Sequence, residues 1–303
     1  MPANNISEHT KNKKSFWLYI ISGLLFAVLW ASASTATKIG LQSAQPFVIA
    51  VSRFFIAGII MLVMAHVVFK KRLPSGKEWK QLAIYGLLNI SIYLGLYVIA
   101  MQKISAGLGT LAVASNPVLI SLISSFFFKH TVTVKSITSL LLCIAGVILA
   151  AFPLLQNNYA TWDGIVLLFI SMLAYSAGAI YFSKVQWNDL HIITINGWQT
   201  ILGGVFLLPF LLFTYHGGAN NFNHSFWGAV LWLAIPVSII AVSLWLQLLK
   251  RNAVSAAYWL FLCPIAGFII AKFMVNEPVN NYTKIGVLLV IAGLLLVQEK
   301  NKK

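Results

Sequence analysis

Residues 103–150 read KISAGLGTLAVASNPVLISLISSFFFKHTVTVKSITSLLLCIAGVILA, and residues 250–297 read KRNAVSAAYWLFLCPIAGFIIAKFMVNEPVNNYTKIGVLLVIAGLLLV. Laid over one another at a constant offset of 147, without a gap, they agree at 12 of 48 positions. Apolar sequence supplies some of these matches by chance. The shared punctuation is harder to dismiss: Pro117 falls on Pro264 and Gly146 on Gly293. Further out, Arg53 pairs with Gln199 and Gly58 with Gly204 at an offset of 146. The chain is therefore two halves of one pattern, an arrangement that in membrane proteins most often encloses a solute route.

Composition names the solvent. Of 303 residues, 59% are hydrophobic and 9% are charged, with a mean hydropathy of +0.85. A soluble chain carries about 25% charged residues. Too little polar surface remains to cover a body in water, so the lipid bilayer is the expected surrounding partner. The net charge of +15 does not point to nucleic acid, because the basic residues fall mostly between apolar runs, as topology-setting charges do. Cys143 and Cys263 lie inside apolar runs and read as small buried residues. Two cysteines make neither a disulfide framework nor a four-ligand metal site, so no metal or cofactor is expected.

A spanning helix needs about 20 mostly apolar residues. Ten stretches qualify, near 16–37, 46–69, 80–100, 104–127, 133–153, 163–183, 192–214, 226–247, 252–274 and 282–298. The expected fold class is an all-α polytopic membrane protein of ten transmembrane helices. Residues 1–15 read as a disordered basic cytoplasmic tail, 16–153 and 162–298 as the two five-helix repeats, and 299–303 as a second tail. Ala31-Ser32-Ala33 after Lys11, Lys13 and Lys14 resembles a leader cleavage site. Cutting there would delete one helix of the first repeat, so an uncut first span is the expectation.

Counting the basic residues orients the chain. With the N-terminus inside, the inner side holds 16 lysines and arginines. Only Lys38, Lys103, Lys272 and Lys284 fall outside, and Arg53 alone lies within a helix. This bias places both termini in the cytoplasm. Five helices per half is an odd number, so the second half enters the membrane upside down. Inverted repeats allow two mirror-related states, each open to one side.

The ordered motifs resemble the drug/metabolite transporter superfamily, specifically its EamA-type members. They are Leu29-Trp30 followed by Ala31 to Gly40, Arg53-Phe54 with Ala57-Gly58, Ser105-Ala106-Gly107, Asn116-Pro117, Leu141 to Val147, Ala253 to Ala256, Pro264 and Asn276-Glu277-Pro278. The resemblance covers about residues 16–298. Two positions depart from its pattern: Asn276 replaces a glycine, and His130 stands where the first repeat usually carries Glu. The resemblance implies a ten-helix secondary transporter of small organic solutes, many of whose relatives export amino acids or related metabolites.

The candidate site residues are the polar and aromatic ones at depth. Arg53, seven residues past Pro46, lies ~10 Å below the outer surface. It either contacts an anion or anchors helix ends. Tyr85, Asn89, Tyr93 and Tyr97 recur every four residues and share a face of the third span. Ser22, Phe26, Trp30, Ser34 and Lys38 do the same on the first. Such stripes line a wet cavity or pack through hydrogen-bonded tyrosines. Asn116 precedes Pro117 near the midplane, and Pro117 and Pro264 are read as kinks that free a backbone carbonyl. Asn196, Gln199 and Gly203 share a face of the seventh span. Tyr175, Trp198, Trp245, Tyr258 and Trp259 are weaker aromatic candidates, equally readable as interface anchors. No Asp or Glu lies centrally in a helix, which leaves a carboxylate proton relay unsupported and favours facilitated diffusion or exchange. The histidines lie in loops, tails and helix ends.

No catalytic motif is present. The expected function is alternating-access transport of a small-molecule substrate, an amino acid or related neutral or zwitterionic solute, outward across the inner or plasma membrane. The rival from another class is a non-transporting membrane scaffold or sensor. The sequence leaves the substrate, the coupling mode and the oligomeric state open, a homodimer included.

Overall fold

A computed structural model describes residues 3–127, 134–251 and 259–300, and every regular element among them is helical. The elements are α1 (Ala3–Leu41), α2 (Pro46–Val68), α3 (Lys77–Lys103), α4 (Ala106–Ser124), α5 (Val134–Gln156), α6 (Trp162–Lys184), α7 (Ile192–Thr214), α8 (His224–Trp245), α9 (Trp259–Val275) and α10 (Asn281–Leu296). Eight of these are long and apolar enough to cross a membrane, counting only Trp17–Leu41 of α1. The described parts of α9 and α10 are shorter apolar helices. His130, Ala253 to Ala256 and Tyr258 lie outside the described residues.

Two boundaries differ from the sequence expectation. The helix of α1 continues back to Ala3 through the segment expected to be a disordered tail. No Gly or Pro follows Pro2 until Gly23, so no residue type there ends the helix. The helix of α4 is interrupted: Ala106–Ala114 ends at Ser115, and a second segment starts at Asn116. The Ser115 N–H turns back to the Ala112 carbonyl at 3.1 Å, a tightened turn ahead of Pro117. Pro264 occupies the third position of a helix, Leu262–Val275, that follows a 3₁₀ turn at Trp259–Phe261. Both repeat-related prolines thus sit just past a break.

The helices pair as the repeat dictates: α2 packs on α7, α4 on α9 and α5 on α10, while α1 with α8 mirrors α6 with α3. The repeat partners run antiparallel. A Cβ on Gly58 would meet Ile201, and one on Gly197 would meet Leu62. Phe47 and Phe210 lie ring to ring at 6.0 Å. Numbers rise along α2 as they fall along α7. The same holds for α5 and α10, where a Cβ on Gly146 would stand 2.6 Å from the Gly286 carbonyl and one on Gly293 2.8 Å from that of Ser139. Only glycine allows backbones this near, as small residues do in lipid, where no hydrophobic force pushes helices together.

Loops are tied end by end. At one end, Gln45 bonds the Thr214 carbonyl at 2.6 Å and the His216 N–H at 2.8 Å, while Lys103 pairs with Asp163. At the other end, Arg72 pairs with Glu78 at 2.7 Å and also reaches the Asn188 carbonyl. That carboxylate raises the Arg72 guanidinium above its ordinary value. Gly76 and Asn157 consequently lie at opposite ends of the bundle. The outer surface is apolar, with Leu18, Leu212 and Phe213 exposed, as a lipid-facing wall requires.

Candidate functional site

Between the halves lies a cavity of about 340 Å³, which is the size of a small-metabolite site. Helices α1, α2, α3, α4, α6, α7 and α8 supply its wall, and α5, α9 and α10 do not. Of the candidates from sequence, Trp30, Ser34, Arg53, Asn89, Tyr93, Tyr175 and Gln199 line it, joined by Tyr85, Tyr97, Asn196 and Trp245. The four-residue stripe of α3 is one wall. Tyr93 meets Tyr175 edge-on at 4.9 Å and Tyr97 at 6.1 Å.

Asn116 and Trp259 lie outside this lining. The break at Ser115 resets the face of the second half of α4, so Asn116 is 3% exposed, with its Oδ1 buried and without a hydrogen-bond partner among the described residues. Trp259 fills the groove over Gly23 of α1, where a Cβ would collide with its ring. Trp198 likewise packs away from the cavity, edge-on to Trp79 at 4.7 Å, and donates its indole N–H to His66 Nε2 at 3.1 Å.

Two corners of the cavity are related by the repeat. Helix α3 carries a π-helical stretch at Leu87–Ile92, and α8 carries one at Leu233–Ala241. Carried back to these helices, the offset of 147 places Ser91 on Ser238. The Ser238 hydroxyl donates to the Leu233 carbonyl five residues earlier at 2.8 Å, whereas the Ser91 hydroxyl donates across to the Gly203 carbonyl at 2.8 Å and lies 3.4 Å from the Gly86 carbonyl five residues earlier. Such widened turns are frequent at functional sites. At the α2–α8 corner, Arg53 Nε donates to Ser238 Oγ at 3.1 Å, and the guanidinium lies 5.4 Å from the Phe54 ring centre. At the α7–α3 corner stands an amide chain. Asn89 Nδ2 donates to Gln199 Oε1 at 3.2 Å, and Gln199 Nε2 donates to Asn196 Oδ1 at 3.1 Å.

Hydrogen bonds cross-link α1, α3 and α4 at the end of the cavity near Lys38. Tyr97 and Ser34 share a hydrogen bond of 2.7 Å, and Thr110 Oγ1 donates to Ser34 Oγ at 2.8 Å. One turn beyond, Lys38 Nζ donates to the Met101 and Ile104 carbonyls at 2.9 and 2.6 Å, at the C-terminus of α3. The Glu277 carboxylate accepts from the Ala106 and Gly107 N–H groups at 2.5 and 3.0 Å, at the N-terminus of α4. Each charge therefore sits on the helix end whose dipole it complements. At the far end Tyr85, Phe182 and Trp187 form an aromatic cluster.

Sequence reasoning passed over Ser238 and Thr110. A serine or threonine in a helix is small and commonly bonds its own backbone, so it carries little signal. The match of Ser238 to Ser91 across the repeat was the available clue.

Comparison with known proteins agrees with this architecture. The family model described as the EamA-like transporter family matches residues 17–152 and again 162–298. A protein of Archaeoglobus fulgidus named "Uncharacterized transporter" is 27% identical, over 91% of this chain and 96% of its own. A Streptantibioticus cattleyicolor protein named "Probable terminal-alkyne amino-acid exporter" is 24% identical, over 96% and 95%. A solved crystal structure at 15% identity shares the fold, with a TM-score of 0.66 over 94% of this chain and 99% of that one. The chain belongs to the EamA-like transporter family: it is a multi-pass membrane transporter and not an enzyme.

Proposed function

We propose that this EamA-family chain is a ten-helix carrier of the cell membrane, both termini cytoplasmic, that exports small organic metabolites of the amino-acid kind by alternating access. The observation that carries this reading is the cavity, walled by both halves at repeat-related positions and cross-linked at one end by Lys38, Glu277 and the Tyr97–Ser34–Thr110 network, which we take as the seal. Under the proposed threading, the sealed end is the extracellular one. Antiparallel repeat partners supply the symmetry that lets the opposite end seal in its turn. Arg53 and Gln199 orient the polar groups of the solute, while Trp30, Tyr93 and Tyr175 offer flat apolar faces. The exporter among the relatives supports the substrate class and the direction.

Flux in proteoliposomes tests this reading. Saturable, trans-stimulated uptake is expected, and Tyr93→Ala and Gln199→Ala should each lower it at least tenfold. Unsaturable conductance would make the chain a pore, and an absence of flux would favour the scaffold reading. Full activity in both variants would remove the cavity assignment.

A further inference from the structure

Arg53 sets the charge of the cavity, and nothing described in the protein balances it. A guanidinium offers five N–H donors. Only Nε has a hydrogen-bond partner among the described residues, the hydroxyl of Ser238. The Nη groups, which form the fork that fits a carboxylate in two parallel bonds, are left without one. No Asp or Glu is among the lining residues. Glu78 is held by Arg72, Asp163 by Lys103 and Glu277 by two backbone amides, all at the ends of the bundle. A charge at this depth is costly unless a partner meets it.

We propose that the occupant itself supplies the missing anion: the cavity takes a small organic carboxylate whose remaining body is uncharged, gripped by the Nη groups of Arg53. The proposal rests on the carrier reading for its cavity. It keeps the carrier and its small organic solute, and replaces the free amino acid of that reading with a carboxylate that carries no ammonium. A zwitterion meets Arg53 with its carboxylate but carries an ammonium a few ångströms away, close to the guanidinium and with no acid to receive it. A cation of the same shape fares worse, and a neutral amide gains no ion pair. The body packs on Trp30, Tyr93 and Trp245, whose faces suit planar apolar groups. Carboxylates that lack a free amine, or whose amine is acylated, fit all of these conditions.

The test is calorimetry on the purified full-length chain with four probes built on one two-carbon phenyl skeleton: phenylacetate, phenylacetamide, phenylglycine and phenethylamine. Phenylacetate should bind at least tenfold more tightly than the other three. Arg53→Gln should bring it down to the level of the amide without changing the amide, and Arg53→Lys should keep part of the preference. The wild-type series alone decides the matter if a variant fails to give a monodisperse protein. Equal binding of phenylglycine or phenylacetamide, no binding of phenylacetate, or a preference that survives Arg53→Gln overturns the proposal. Its failure is distinguishable from that of the carrier reading. Arg53-dependent binding without trans-stimulated flux sinks only the carrier, whereas saturable zwitterion flux indifferent to Arg53 sinks only the charge preference.

Discussion

The α2–α8 and α7–α3 corners hold the same backbone and different chemistry. In both, a polar residue from one half faces a π turn of the other, with a serine at the same register. One corner presents a cation; the other presents a closed chain of amides. The packing differs as well. Where α3 meets α7, a Cβ on Gly86 would stand 2.6 Å from the Gln199 carbonyl, and one on Gly203 2.8 Å from that of Gly86. The repeat-related positions on α8 and α2 hold Leu233 and Ala57. Duplication thus supplied the frame twice. Divergence then made one corner a tight seam and left the other with room for a charged side chain.

Copying the charge across should break the division hardest. Gln199→Arg sets a second cation beside the Asn89 amide, where backbones are too close to move aside. A buried, unpartnered charge costs about 3–5 kcal/mol. Loss of the monodisperse peak in fluorescence-detected size exclusion is expected, and a variant as stable as wild type would mean that the corners are not specialised. Filling the seam comes next. Gly203→Ala drives a methyl into Ile90 and the Gly86 carbonyl, and overpacking of this kind costs about 1–3 kcal/mol. Its neighbour is the control: a Cβ on Gly204 meets Phe54 at an ordinary 3.4 Å, so Gly204→Ala should leave the thermal midpoint within measurement error. The paired serines give the smallest and sharpest contrast. Ser238→Ala releases Arg53 Nε and should weaken anion binding by about fivefold, the worth of one hydrogen bond near 1 kcal/mol. Ser91→Ala, whose hydroxyl bonds the Gly203 carbonyl at 2.8 Å, should lower stability and leave the affinity alone. Equal effects of the two on calorimetric affinity would erase the distinction.

The repeat, the antiparallel partners and the membrane class were legible because they rest on composition and spacing, which local packing does not alter. Arg53, Gln199 and Tyr93 were legible for a related reason: polar side chains deep in apolar helices are few, and each must face something other than lipid. The places of Asn116 and Trp259 were not legible because their destinations depend on other residues. The turn at Ser115 resets the face of Asn116, and the bare backbone of Gly23 opens a slot for the Trp259 ring. A helical wheel drawn through either position assumes a continuity that the chain does not keep. The tightness of the α3–α7 seam was hidden too, since Gly86 and Gly203 gain meaning only once their helices are set side by side.

A π turn holds one residue more than the α turn it replaces. Leu87–Ile92 and Leu233–Ala241 therefore each store a spare residue, like a tooth held back in a gear. Passing it along the rod would rotate each residue it passes by about 100° and shift it by about 1.5 Å. On α3 that motion would swing Tyr93 and Tyr97 round together, and on α8 it would swing Trp245. Leu94→Cys, probed for thiol accessibility with and without solute, would register the swing, and an identical reading in both conditions would rule it out. Opposed halves that each hold such a reserve can turn their inner walls without unwinding them.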